Sequence, residues 1–197
     1  MSHITWLNKT DSTNCEARRR FPELDNLSVI ATRKQTEGHG QGDHVWYSTP
    51  GKNLTFSLVL KYGRTLLAVD GILITCAVTL AIRDYLLKKG IEARVKWPND
   101  IWVDDRKICG ILIENTLEGV HISGSIVGVG LNLNQKNWPE DLPNPVSVRN
   151  ITGRSYCVHA QMRRLYKNIR RRYSQMKSDD GRQKLQEEFG KVVFRLP

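Results

Sequence analysis

Apolar positions along the chain fall into short alternating runs and a few longer helical stretches. Runs at residues 4–7, 27–32, 53–60 and 93–95 predict strands. In the third of these, Leu54, Phe56, Leu58 and Leu60 share one phase. Residues 66–88 are apolar on most sides (Leu73, Cys76, Ala77, Leu80, Ala81), which predicts a buried helix closed by Gly90. Residues 120–133 predict a strand interrupted by Gly124, Gly128 and Gly130, and glycines inside a strand imply close approach by a ligand or a neighbouring chain. Residues 135–148 are rich in Pro and Asn and are expected to be loop. Residues 159–177 are amphipathic: Met162, Leu165, Tyr166, Ile169, Tyr173 and Met176 form an apolar stripe, with Arg163, Lys167, Arg170 and Arg171 largely off it. A stripe at that spacing reads as core rather than as a cofactor site. Asp179-Asp180-Gly181 breaks the pattern, and a last helix runs toward Phe189.

The chemistry concentrates around residues 96–114. Lys96-Trp97-Pro98-Asn99-Asp100 is a turn leading into a short apolar strand, Asp104-Asp105 is a hairpin signal, and a second strand begins at Arg106-Lys107. A hairpin can hold Lys96, Asn99, Asp100 and Lys107 in fixed mutual geometry. Two cations, one carboxylate and one amide suit a phosphate with its cation, although an ordinary hairpin with surface lysines has the same pattern.

Two other stretches carry candidate groups. Ser12 or Thr13 could cap a helix, with Glu16 completing a capping box. Alternatively, Ser12, Thr13 and Asn14 are small polar groups offered to a ligand at a strand-to-helix junction. Residues 33–46 alternate glycine with polar residues (Gly38, His39, Gly40, Gln41, Gly42), so the backbone can present its N–H groups to a ligand. The spacing matches neither a dinucleotide fingerprint nor a P-loop. We expect this segment to be a lid, with Trp46 and Tyr47 offering flat surfaces to a base or ring.

Length and composition bound these readings. The 197 residues make one domain, or one with an appendage. The four cysteines have no CxxC spacing and read as free thiols in a reducing compartment. No secretory signal or membrane-length apolar run is visible, so a cytoplasmic location is expected. The net charge of +10 is concentrated: from Arg154 onward there are twelve lysines and arginines against four acids, which is +8 of the total. Such a helical face is more often solvated than bound to nucleic acid.

Taken together, these motifs resemble the biotin–protein ligases, the catalytic core of the biotin and lipoate ligase superfamily. The resemblance runs from about Ser12 to Asn132. It rests on Asp-Ser-Thr-Asn (11–14), Gln35 with the Gly-rich loop and Trp46, Lys-Trp-Pro-Asn-Asp (96–100), Lys107 with Gly-Ile-Leu (110–112), and Gly-x-Gly-x-Asn (128–132). It implies an α+β, two-layer fold: a mixed, mainly antiparallel β-sheet with helices packed on one face. It also implies two steps. Biotin and ATP give biotinyl-5′-AMP and pyrophosphate, then a lysine of a biotin carboxyl carrier protein or carboxylase biotin domain displaces AMP.

By the same resemblance, Ser12, Thr13, Asn14, Gln35, Gly38, His39, Gly40, Gln41, Lys107 and Gly110 line the biotin side. His39, Gln41, His44, Trp46, Lys96, Asn99, Asp100 and Asn132 contact ATP or the adenylate. Lys107, Lys96 and Asp100 are the expected catalytic groups, and Asp100 the candidate ligand of Mg²⁺. The family pattern permits a homodimer.

This sequence departs from the family pattern in three ways. His39 stands where the loop usually carries arginine, and Gln41 where some members have a second. A histidine is only partly charged near neutral pH, so weaker retention of the adenylate, or pH-dependent activity, is expected. No DNA-binding helix-turn-helix precedes Ser12, so neither a repressor role nor DNA binding is expected. Residues 1–177 should form the catalytic domain and 178–197 a short helical tail, without the family's C-terminal β-barrel. Two rivals remain. One is a lipoate or octanoate ligase, which would need an apolar tunnel. The other is an impaired, ligase-like binding module using the Arg170–Arg172 face.

Overall fold

The structure is a computed structural model that describes residues 3–42 and 44–195. The chain divides into two units: residues 1–71 with 110–132, and residues 72–109 with 133–197.

The first unit holds strands β1 (Ile4–Leu7), β2 (Val29–Thr32), β3 (Leu54–Lys61) and β7 (His121–Leu131), with helix α1 (Thr13–Arg19). β1 pairs parallel with β2, β2 antiparallel with β3, and β3 antiparallel with β7. β3 is buried on both faces from Leu54 to Leu60. The apolar phase serves the core as expected, and the other phase buries Thr55 and Ser57 beside Val59. α1 packs on β2, β3 and β7, where Ala17 joins Leu24, Ile30, Val59 and Ile126 in a core cluster.

The second unit is organised around α2 (Ile72–Leu87), whose Leu73, Ile74, Leu80, Ala81, Ile82 and Leu86 are buried. α2 packs against α4 (Val158–Gln175) and α5 (Asp179–Val192). Its strands are β4 (Arg94–Lys96), β5 (Asp100–Val103) and β8 (Val193–Phe194), β4 pairing antiparallel with β5 and parallel with β8. The long strand β6 (Arg106–Glu118) begins in this unit and ends in the first. The eight strands thus form a mixed, mainly antiparallel sheet with helices, as the resemblance implied.

Several local expectations are corrected. The helix expected over 66–88 begins at Ile72: Leu67 is extended and bridges His121, and a single 3₁₀ turn, Ala68–Asp70, precedes α2. Ser12 does occupy the N-cap of α1, but its side chain makes no cap hydrogen bond. Glu16 turns instead to Arg19 and Arg20, so the capping box is not formed. The expected loop gives way to α3 (Val148–Thr152), whose capping box pairs Ser147 with Asn150 rather than with Glu or Gln. Arg172, expected on a basic face, is 6% exposed and bonds Asp84 and Glu188. The stripe of α4 is core as expected, with Met162, Leu165, Ile169, Tyr173 and Met176 buried.

Candidate active site

In the first unit, backbone bonds hold the 10–14 segment against the stretch around Gln35. Thr10 N–H donates to Lys34 O, Thr36 N–H to Thr10 O and Glu37 N–H to Asp11 O. Asp11 is fixed by a two-pronged pair with Arg19, both bonds 2.8 Å. That guanidinium and the Ser12 N–H hold the Asp11 carboxyl well below the usual carboxylate range.

The turn fixed this way starts a continuous polar row. The Thr13 N–H and hydroxyl both donate to Gln35 Oε1, at 2.8 and 3.0 Å. Ser57 Oγ on β3 lies 2.8 Å from Thr13 Oγ1 and also bonds Asn14 Oδ1. The Asn14 amide donates to Glu114 on β6 at 2.6 Å, and Glu114 also holds Arg18. Ser12, Thr13, Asn14 and Ser57 are all buried. The row is neutral from Gln35 to Asn14, so it offers donors and acceptors without net charge. The sequence reading missed Ser57 and Glu114; the signal for Ser57 was its place in the polar phase of an otherwise apolar strand.

The Gly-rich segment is a small hairpin closed by Trp46 N–H to Gly38 O and Gly40 N–H to His44 O. A Cβ on Gly38 would lie 2.7 Å from Gln35 Nε2, so glycine lets the loop lie on the glutamine. His39, Gln41 and His44 are exposed on this hairpin, and Asp43 lies outside the described residues. The close approaches expected at Gly128 and Gly130 are made by the chain's own side chains, the Asn14 amide and the Trp46 indole. Trp46 is thus packed on the sheet, half-buried, rather than standing free. Gly110 on β6 is half-buried and Asn132 beyond β7 is buried.

In the second unit, Lys107 on β6 pairs with Asp100 on β5 at 2.8 Å, both side chains partly exposed. The backbone of Lys107 is held on its other side, its N–H donating to Asn144 O and its carbonyl accepting from Val146 N–H. Lys96 places its ammonium 4.5 Å over the Trp102 ring. The turn between them, with Asn99 half-buried in it, is fixed at Trp97, whose N–H donates to Phe194 O on β8 and whose ring meets Phe189 edge-on. Burial raises the Cys109 thiol, two residues from Lys107, out of the nucleophilic range. Among the described residues no three His, Cys, Asp or Glu side chains cluster as a metal set. A magnesium ion carried mainly by substrate phosphates and water needs only one or two carboxylates, and Asp100 fits that use.

Residues 6–132, well over half of the chain, match the sequence pattern of the biotin/lipoate A/B protein ligase family. The chain belongs to that family. The polar row, the Gly-rich hairpin, Asp100 and Lys107 all fall inside the family span. Among its relatives, a chloroplastic biotin–protein ligase of Arabidopsis thaliana is 35% identical over 134 residues, covering 66% of this chain and 36% of that protein. A biotin–[acetyl-CoA-carboxylase] ligase of Paracoccus denitrificans is 36% identical over 131 residues, covering 64% of this chain and 53% of that protein. The fold is also that of a biotin protein ligase from Aquifex aeolicus, solved with biotin and ATP: TM-score 0.80, 23% identity, 98% of this chain and 77% of that one covered. The chain therefore spans about a third to a half of the length of these two curated relatives.

Proposed function

We propose that the chain is the catalytic part of a biotin–protein ligase. It would activate biotin with ATP as biotinyl-5′-AMP and pass it to a lysine of a biotin carboxyl carrier protein or carboxylase biotin domain, in the cytoplasm. The observation that carries this reading is the neutral row Gln35–Thr13–Ser57–Asn14. Fixed donors and acceptors suit the ureido ring of biotin. An aliphatic acid such as octanoate would bury the row without meeting the donor and acceptor capacity left over from its internal bonds, which costs more than a missing methylene.

In the first step a biotin carboxylate oxygen attacks the α-phosphorus and pyrophosphate departs. Lys107 is assigned to the two converging anions, where a fixed cation lowers the barrier as charge develops. Its pair with Asp100 holds the ammonium in place before substrate arrives. Lys96, Asn99 and Asn132 are assigned to the nucleotide. Asp100, with phosphate oxygens and water, would hold Mg²⁺, which would screen the phosphate charge. In the second step a neutral lysine amine of the carrier attacks the acyl carbon, AMP leaves with the bonding pair, and the proton lost from the amine passes to solvent. Positioning and electrostatics suffice, with no covalent enzyme intermediate. The hairpin from Gly38 to Trp46, with His39, Gly40 and Gln41, is assigned to cover the adenylate against water, and Gly110 to close approach on the biotin side. We assign catalysis to residues 1–177 and read 178–197 as a C-terminal tail.

Pyrophosphate exchange into ATP with Mg²⁺ tests this, run with biotin, lipoate, octanoate and no acid. Exchange with biotin alone is expected. Exchange with another acid would keep the family and discard the substrate, and no exchange in the folded protein would overturn the adenylation step.

A further inference from the structure

A second basic feature lies wholly in the second unit and is used by none of the steps above. A cavity of about 480 Å³ is lined by residues from the end of α2 (Lys88, Lys89, Gly90, Ile91) and from the α3–α4 connection (Ile151, Thr152, Arg154, Tyr156). That volume falls in the range of small-molecule sites rather than of single-ion sites. Three of the lining residues are cations and none is acidic. Arg164 on α4 adds its field, since its charge acts on Lys89.

What these cations touch is informative. Lys88 Nζ donates to Asn168 Oδ1 at 3.0 Å, and Lys89 Nζ to Gln161 Oε1 at 2.8 Å. Lys89 also sits 4.6 Å over the Tyr85 ring and 4.3 Å over Tyr156. These partners are neutral amides and ring faces. Lys88, Lys89, Arg154 and Arg164 form no salt bridge with any described carboxylate, although α2's own Asp84 is close in sequence; that carboxylate is taken by Arg171 and Arg172.

The simplest structural use of lysines at a helix end is to offset the helix dipole. Here the end of α2 is already closed: Gly90, at φ 74°, lets its own N–H donate to Leu87 O while Ile91 N–H donates to Leu86 O. The ammonium groups are aimed at side chains of α4 instead. Like charges gathered by neutral partners around an open volume favour a multivalent anion over a neutral ligand.

We propose that this cavity is a second ligand site that takes a small molecule bearing an oligophosphate group. Three lining cations call for more than one negative charge, and Arg154 supplies a fork suited to phosphate. Burial and the charge of Arg164 already lower the Lys89 pKa, so a bound anion would restore it.

The test is an amide NMR titration of the whole chain with inorganic tripolyphosphate, without nucleotide or Mg²⁺, at physiological salt. Saturable shifts are expected at Gly90, Thr152 and Arg154. Lys88→Met and Arg154→Met should each weaken them about tenfold or more, the loss of one charge-assisted bond, with Arg154→Lys intermediate. Both substitutions lie outside the groups assigned to adenylation, so pyrophosphate exchange should persist in them. Non-saturating shifts, saturating shifts confined to other residues, or unchanged affinity in both Met variants would overturn the proposal. Should a Met variant fail to fold, the wild-type shift map and Arg154→Lys decide it.

Discussion

The Trp46 indole lies directly on Gly130: a Cβ at position 130 would be 2.2 Å from Cε2 and 2.4 Å from Cζ2 and Nε1 of the ring. The glycine of the β7 strand is therefore a seat for the end of the Gly-rich hairpin. Gly130→Ala should expel the ring and cost about 1–3 kcal/mol, the usual range for overpacking. Denaturant unfolding measures it. In a Trp46→Ala background the same substitution should cost almost nothing, and a persistent cost there would place the strain elsewhere.

Lys107 and Asp100 give the clearest prediction for the chemistry. Lys107→Gln should slow pyrophosphate exchange by about 100- to 1,000-fold, the usual loss for one aimed group in a charge-stabilising site, while the fold is retained because Lys107 is partly exposed. Asp100→Asn should also raise the Mg²⁺ concentration needed for half-maximal exchange. A Lys107→Gln enzyme with exchange unchanged would remove Lys107 from the reaction.

His39 is exposed on the hairpin, where relatives are expected to carry arginine. His39→Arg should slow adenylate release by about tenfold, since a permanent, forked cation binds phosphate more firmly by roughly one charge-assisted hydrogen bond. Stopped-flow chase of preformed biotinyl-5′-AMP reads this directly. An unchanged release rate would mean that the loop does not use this position.

Arg172 is buried, and Asp84 with Glu188 holds its charge. Asp84→Ala should destabilise the protein by about 3–5 kcal/mol, because it leaves a buried guanidinium short of its partner. Asp84→Leu combined with Arg172→Met should recover much of that loss. Thermal unfolding of the two variants beside the unmodified protein makes the comparison, and failure of the double variant to recover would show that packing, not charge, dominates.

The row around Gln35 shows how far the sequence could be read. Thr13 and Asn14 stood out as short polar residues at a strand-to-helix junction, where a helix cap was the competing use, and Gln35 stood out through the family resemblance. Ser57 and Glu114 did not: the only local signal for Ser57 was its place in the polar phase of an apolar strand, and Glu114, inside β6, carries none. Their role comes from partners 44 and 100 residues away in the chain.

By itself the sequence determined the periodic elements, the hairpin carrying Asp100 and Lys107, and the motif set that marks the family. Those depend on local spacing, which turn chemistry and hydrophobic period encode directly. Only the tertiary structure decided which side chains meet. It paired Arg172 with Asp84, laid Trp46 on Gly130, and opened α2 at Ile72 after Leu67 bridged His121. It also showed that the lysines at the end of α2 face a cavity with neutral partners. Contacts between distant residues are set by packing and register, and a local pattern of polar and apolar residues does not contain them.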